Sequence, residues 1–253
     1  MYADLESKFN WKQAPIDYEW NSEVSSGISY TMEGNLRLKK ALNKMGYKAS
    51  IGFAAALLNL VLLRFDGHPD LSKEFVDDVN NRIDSIFAAA VDPLYGQILK
   101  YGTHSEVPTE GPIHGPCSIA LDKIMYVSLE YNFKCHYIHR HLVGLVLLLN
   151  HIDPDNKAFN EWLASTIKET ASMFPCSYNY ENEKISEDDE YDYSSEPPVP
   201  REFFLDEDYQ YTPETARQKI NVFLQSLDYR SNPHLRSPEE MLEAGFAGTP
   251  YTL

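Results

Sequence analysis

Apolar residues recur along this chain at three- and four-residue steps, while strand-like alternation is weak throughout, so the pattern predicts an all-α fold. A first helix is expected over residues 28–45, closed by Gly46 as a left-handed cap. Residues 49–65 are apolar on every side of a helical wheel, which demands a helix enclosed by others. The break Asp66-Gly67-His68-Pro69-Asp70 precedes an amphipathic stretch with Leu71, Phe75, Val79, Ile83, Ile86, Phe87 and Ala90 on one face. Residues 91–115, rich in glycine and proline, read as loop. Further helices are expected around residues 119–131, over 134–151, and after Asp153-Pro154, a cap followed by proline at the first helical position.

Two stretches resemble each other. Leu60-Val61-Leu62-Leu63 before Pro69-Asp70 matches Leu145-Val146-Leu147-Leu148 before Pro154-Asp155, each pair 85 residues apart. The expectation is a helical bundle or short helix-repeat array in which a three-helix unit occurs twice, over 28–90 and 117–174. A C-terminal cap follows, with helices starting at Thr212-Pro213-Glu214 and at the capping box Ser237-Pro238-Glu239-Glu240. Residues 1–253 are read as a single all-α domain. An irregular arm, 1–26, is anchored by Trp11, Tyr18 and Trp20, the helical core spans 27–175, an acidic tyrosine-rich loop spans 176–210, and the C-terminal helices and tail span 211–253.

Charge sharpens this picture. Among 253 residues there are 38 acidic and 22 basic side chains, giving a formal net charge of −16, which argues against nucleic acid or an anionic membrane as partner. Three scattered cysteines (Cys117, Cys135, Cys176) do not make a disulfide framework and point to a reducing compartment. The N-terminus has neither a basic region nor an apolar one of the secretory type, and the longest apolar run, 49–63, is shorter than the roughly 20 residues of a membrane span. The expected location is therefore cytoplasmic.

Candidate chemistry is sparse. In Cys135-His136-Tyr137-Ile138-His139, Cys135 and His139 are four apart and His136 and His139 three apart, so on one helix each pair would share a face and could ligate zinc. His114-x-x-Cys117 could add two ligands. Yet there is no His-Glu-x-x-His, no paired Cys-x-x-Cys, no phosphate-binding glycine loop and no Gly-x-Ser-x-Gly elbow, so no cofactor is expected and no catalytic residue is assigned.

The most unusual segment is 176–210, where twelve acids and two bases are interleaved with Tyr178, Tyr180, Tyr191, Tyr193 and Tyr209. Tyrosine supplies contact area at low entropy cost, and carboxylates steer a basic partner. Tyr180, Glu187, Asp188, Asp189, Glu190, Tyr191 and Tyr193 are the expected partner-binding residues. A solvated linker is the competing reading, and so is folding of this segment onto the basic helix expected over 37–48. The whole profile, acidic, helical and without an evident active site, is similar to that of immunity proteins that guard bacterial cells against delivered toxins. That resemblance implies a neutralising function through occlusion of a basic toxin's active cleft, and carries over no residues. Two alternatives stand beside it: an enzyme with a site around His136 and His139, and a helical adaptor or scaffold.

Overall fold

The computed structural model describes residues 5, 8–11, 14–29, 35–97, 109–154, 156–180 and 189–253. They form helices α1 (Ser22–Ser29), α2 (Leu36–Leu42), α3 (Tyr47–Arg64), α4 (Lys73–Ala89), α5 (His114–Asn132), α6 (Ile138–Ile152), α7 (Lys157–Met173), α8 (Glu202–Leu205), α9 (Pro213–Ser226) and α10 (Pro238–Glu243), with a 3-10 turn at Pro93–Tyr95. Among the described residues there is no strand, only the isolated bridges Met45–Pro175 and Gly96–Leu235, so the fold is all-α.

Helix α3 is the axis of the core. Every residue from Ala49 to Leu62 is buried, and α4, α5, α6 and α8 all pack on it. At 18 residues and a mean hydropathy of 1.3 it is long and apolar enough to cross a membrane by length and composition, but 89% of it lies buried inside the protein. Its bare Gly52 admits the ring of Phe204 from α8 to 2.7 Å from where a Cβ would stand, so the acidic segment is plugged into the central helix. Trp162 of α7 stacks on Phe53 at 6.0 Å from another side.

Several boundaries differ from expectation, each for a local reason. The stretch 28–45 is not one helix: α1 ends at Ser29, and α2 begins afresh where Asn35 accepts the Leu38 N–H at 3.1 Å. Gly46 is the N-cap of α3 rather than the end of the helix before it. Helix α7 starts not at Asp153-Pro154 but after Asn156, whose side chain accepts the Phe159 N–H at 2.8 Å. The C-terminal caps follow the sequence: Thr212 caps α9, and Ser237 with Glu240 forms the capping box of α10.

The order of three helices does recur, as α2-α3-α4 and α5-α6-α7, but the contacts are not equivalent. In the first set the middle helix packs mainly on the one after it, α4; in the second, α6 packs mainly on the one before it, α5. Helix α2 packs on α6 and α7 of the other set. The result is one interleaved bundle.

The N-terminal arm is tied down by burial and by one arginine. Leu5, Phe9 and Trp11 are core residues, with Trp11 1% exposed. Arg64, at the end of α3 and 4% exposed, donates to the carbonyls of Trp11 (3.1 Å), Ala14 (3.2 Å), Pro15 (2.7 Å) and Ile152 (3.4 Å). A buried guanidinium that spends its planar fork on backbone carbonyls fixes the arm against the bundle.

Candidate functional site

The acidic tyrosine segment and the histidine motif, separate in sequence, meet in space. The ring of Tyr191 stacks on Tyr47 of α3, centroids 3.8 Å apart and nearly parallel at 7°. Tyr193 stacks on Tyr131 of α5 at 4.6 Å, and its hydroxyl donates to the Tyr131 carbonyl at 3.1 Å. The Tyr191 N–H donates to the Lys134 carbonyl at 2.8 Å, which ties the segment to the α5–α6 turn. Tyr191-Asp192-Tyr193 is thus an extended stretch with rings inward and acid outward, the two-residue period of a one-sided segment.

This corrects part of the sequence reading. Tyr191 and Tyr193, 2% and 7% exposed, are core residues and offer no ring to a partner. Asp189 and Glu190 are exposed, with Glu190 3.2 Å from Lys134. Tyr180 is half-buried, and Glu187 and Asp188 lie outside the described residues. Of the tyrosines and acids at 189–193, then, only the acids face outward.

Glu196 locks the segment to the bundle. Helix α3 has a glycine N-cap with no side chain of its own, and Glu196 supplies the missing acceptor from 148 residues away, taking the Lys48 N–H at 2.8 Å. Its other oxygen accepts the Tyr191 hydroxyl at 2.7 Å, and its carbonyl accepts the Lys48 ammonium at 3.0 Å. A carboxylate at a helix N-terminus also meets the positive end of the helix dipole. Glu196→Ala is expected to lower stability by about 2 kcal/mol, read as a reduced urea midpoint with unchanged slope, and Glu196→Gln by less.

The histidines occupy the aromatic wall behind this segment. Helix α6 begins only at Ile138, because Lys134 takes a left-handed backbone (φ 54°) that ends the preceding helix. Cys135 and His136 therefore stand in a turn, and the shared helix face expected for Cys135, His136 and His139 does not form. His139, 1% exposed, lies between the rings of Tyr47 (5.6 Å) and Tyr180 (5.8 Å), with Ser50 Oγ 3.4 Å from Nε2. Burial lowers its pKa to about 4 against a hydrogen bond to the Met45 backbone, and the charges of Lys39 and His136 push the same way as burial. His136 is 3.3 Å from the Tyr180 hydroxyl and 4.5 Å, ring to ring, from Tyr178. The Cys135 thiol is raised, first by burial and then by Glu130.

Burial also raises the phenols of Tyr47, Tyr180 and Tyr191 far above their ordinary range, so these three hydroxyls keep their protons well into alkaline pH. His114 and Cys117 lie elsewhere, in the first turn of α5: His114 meets the Asp70 carbonyl at 3.0 Å, and burial raises Cys117 to about 12. Among the described residues no three His, Cys, Asp or Glu side chains are placed to hold one metal ion.

Two grooves of opposite sign open on either side of this framework. One, of about 880 Å³, runs between α2 and residues 175–180; Lys39, Lys40 and Lys44 line it with Cys176, Tyr178 and Tyr180. The other, of about 350 Å³, runs between α7 and residues 203–209. Glu161, Glu169, Asp206 and Glu207 line it, with Trp162, Phe203, Phe204 and Tyr209 as its aromatic part. Among the described residues that line it, Lys8 is the one basic side chain, and it pairs with Glu207.

Sequence reasoning counted Asp206 and Glu207 among many acids and passed over Glu161 and Glu169. The available signal was the stripe Glu161-Ser165-Glu169, steps of four along one face of a helix whose other face carries Phe159 and Ile167. Comparison with protein-family models, curated proteins and solved structures gives no match, so the two grooves are read from their own chemistry.

Proposed function

We propose that this chain is a cytosolic binding protein that neutralises a basic protein partner, in the manner of an immunity protein that covers the active cleft of a bacterial toxin. The observation that carries the reading is the acidic groove: among the described residues, four carboxylates and one lysine line a single cleft beside aromatic side chains. A lysine or arginine of the partner would lay its aliphatic stem along the partly exposed rings of Phe203 and Tyr209 while its charge meets Glu161, Glu169 and Asp206. The exposed Asp189, Glu190 and Asp192 extend the negative surface and would act at longer range, speeding encounter more than holding the complex. Against the expectation from sequence, the tyrosines at 191 and 193 contribute by holding this surface in shape.

The test is affinity capture from the native host at low and high salt, run in parallel with Glu161→Lys/Glu169→Lys and with Lys39→Glu/Lys40→Glu. A basic protein held by the parent chain and by the lysine variant, released by salt and lost with the glutamate variant, is the expected outcome. Equal capture by both variants would remove the acidic groove from the account.

A further inference from the structure

The lysine-lined groove is independent of the acidic one and of opposite sign. In a chain of net charge −16, Lys39, Lys40 and Lys44 gather on α2 and the turn that closes it, and none forms an ion pair among the described residues. The opposite wall is held in place by backbone bonds: Gly46 N–H to the Phe174 carbonyl at 2.8 Å and Cys176 N–H to the Lys44 carbonyl at 2.9 Å. The cleft between is an open groove whose volume, about 880 Å³, is that of a small-molecule site.

Its lining has three chemical parts. The lysines provide ammonium donors for an anion. Tyr178 and Tyr180, half-buried with ring centroids 5.0 Å apart and planes inclined at 51°, form an aromatic corner, and His136 backs Tyr178 at 4.5 Å. Asn43 and Ser177 add polar groups to the lining. From these we infer that the groove binds a phosphate ester carrying a flat aromatic ring, the chemistry of a mononucleotide, with the phosphate on the lysines and the ring in the aromatic corner of Tyr178 and Tyr180, face to one and edge to the other. No glycine loop is involved; side-chain charge replaces backbone amides. A basic protein would be repelled here, so the ligand is separate from the partner of the acidic groove.

The probes are AMP, adenosine and inorganic phosphate, titrated by calorimetry into the full chain at low salt. AMP is expected to bind saturably, with adenosine and phosphate each weaker by about tenfold or more, because stacking and charge-assisted bonds each contribute on that scale. Lys40→Glu/Lys44→Glu alters two exposed side chains, so the thermal midpoint should hold while AMP affinity falls by about tenfold or more.

A second readout uses Cys176, which lines the groove: in a Cys135→Ser chain, AMP should slow maleimide labelling of Cys176. Absence of saturable AMP binding, affinity unchanged in the lysine variant, or phosphate or adenosine binding as tightly as AMP would each overturn the assignment. Capture of the basic partner is read separately, so failure here leaves the acidic groove untouched.

Discussion

Tyr191→Ala is expected to cost about 3–5 kcal/mol of unfolding free energy, the scale for deleting a buried aromatic ring. The ring is 2% exposed, stacks on Tyr47 at 3.8 Å, and its hydroxyl sits between Glu196 and Cys176. Tyr191→Phe keeps the stack and loses the hydroxyl bonds, so about 1 kcal/mol is expected. Asp189→Asn/Glu190→Gln, at the two preceding positions, should stay within about 0.5 kcal/mol, since both side chains are exposed and the Glu190–Lys134 pair is solvated on both sides. Urea unfolding at pH 7 followed by tryptophan fluorescence measures all three. If the alanine variant were no less stable than the charge-neutralised one, residues 189–193 would be a solvated linker and the core described above would be wrong.

The second large effect is loss of stability in mild acid. His139 is neutral and buried, with a folded-state pKa near 4 against an ordinary value of 6.5. Between those values the unfolded chain takes up a proton that the folded chain refuses, so stability rises with pH and falls as pH drops through that window. The slope from this one group approaches about 1.4 kcal/mol per pH unit, and about 3 kcal/mol is lost in all by pH 4.

His141 shifts in the same direction through burial, partly offset by its bond to Glu130, and adds to the slope. Asp78 acts lower. Burial raises it, but hydrogen bonds from His234 and Arg82 outweigh this and bring it to about 2, so its contribution is present above 3.8 and lost only on further acidification. Urea midpoints at pH 7, 6, 5 and 4.5 should therefore fall steadily for the parent chain, and His139→Gln should flatten that dependence whatever its own stability at pH 7. An unchanged slope in the variant would mean that His139 titrates normally.

Much of the fold can be read from residue spacing because it is locally determined. The apolar run at 49–63 can only be an enclosed helix, and Thr212-Pro213 and Ser237-Pro238-Glu239-Glu240 carry their caps within four residues. The misplaced boundaries are those where a second capping residue or a continuing apolar pattern offers an alternative. Asn156 competes with Asp153, and Asn35 with the continuation of an apolar pattern from Ile28, and spacing alone does not rank them.

The candidate site was legible only in part. Twelve acids in 35 residues suggested a solvated stretch, and that composition masked the inward period of Tyr191 and Tyr193. Glu196 capping α3 is a contact across 148 residues, and Phe204 seated on Gly52 is another across 152; both are products of packing. The two grooves likewise bring together residues from α2, α7 and the segment 175–209, which are neighbours only once the bundle has closed.

The most direct test of a charge-guided binding role is the association rate of the captured basic partner, followed by stopped flow at low and high salt. For the parent chain the rate should be fast at low salt and fall steeply as salt screens the field. Glu161→Gln/Glu169→Gln/Glu207→Gln should lower the low-salt rate by about tenfold and flatten the salt dependence. A rate insensitive to salt, or identical with and without the three carboxylates, would contradict the assignment of the acidic groove as the docking surface.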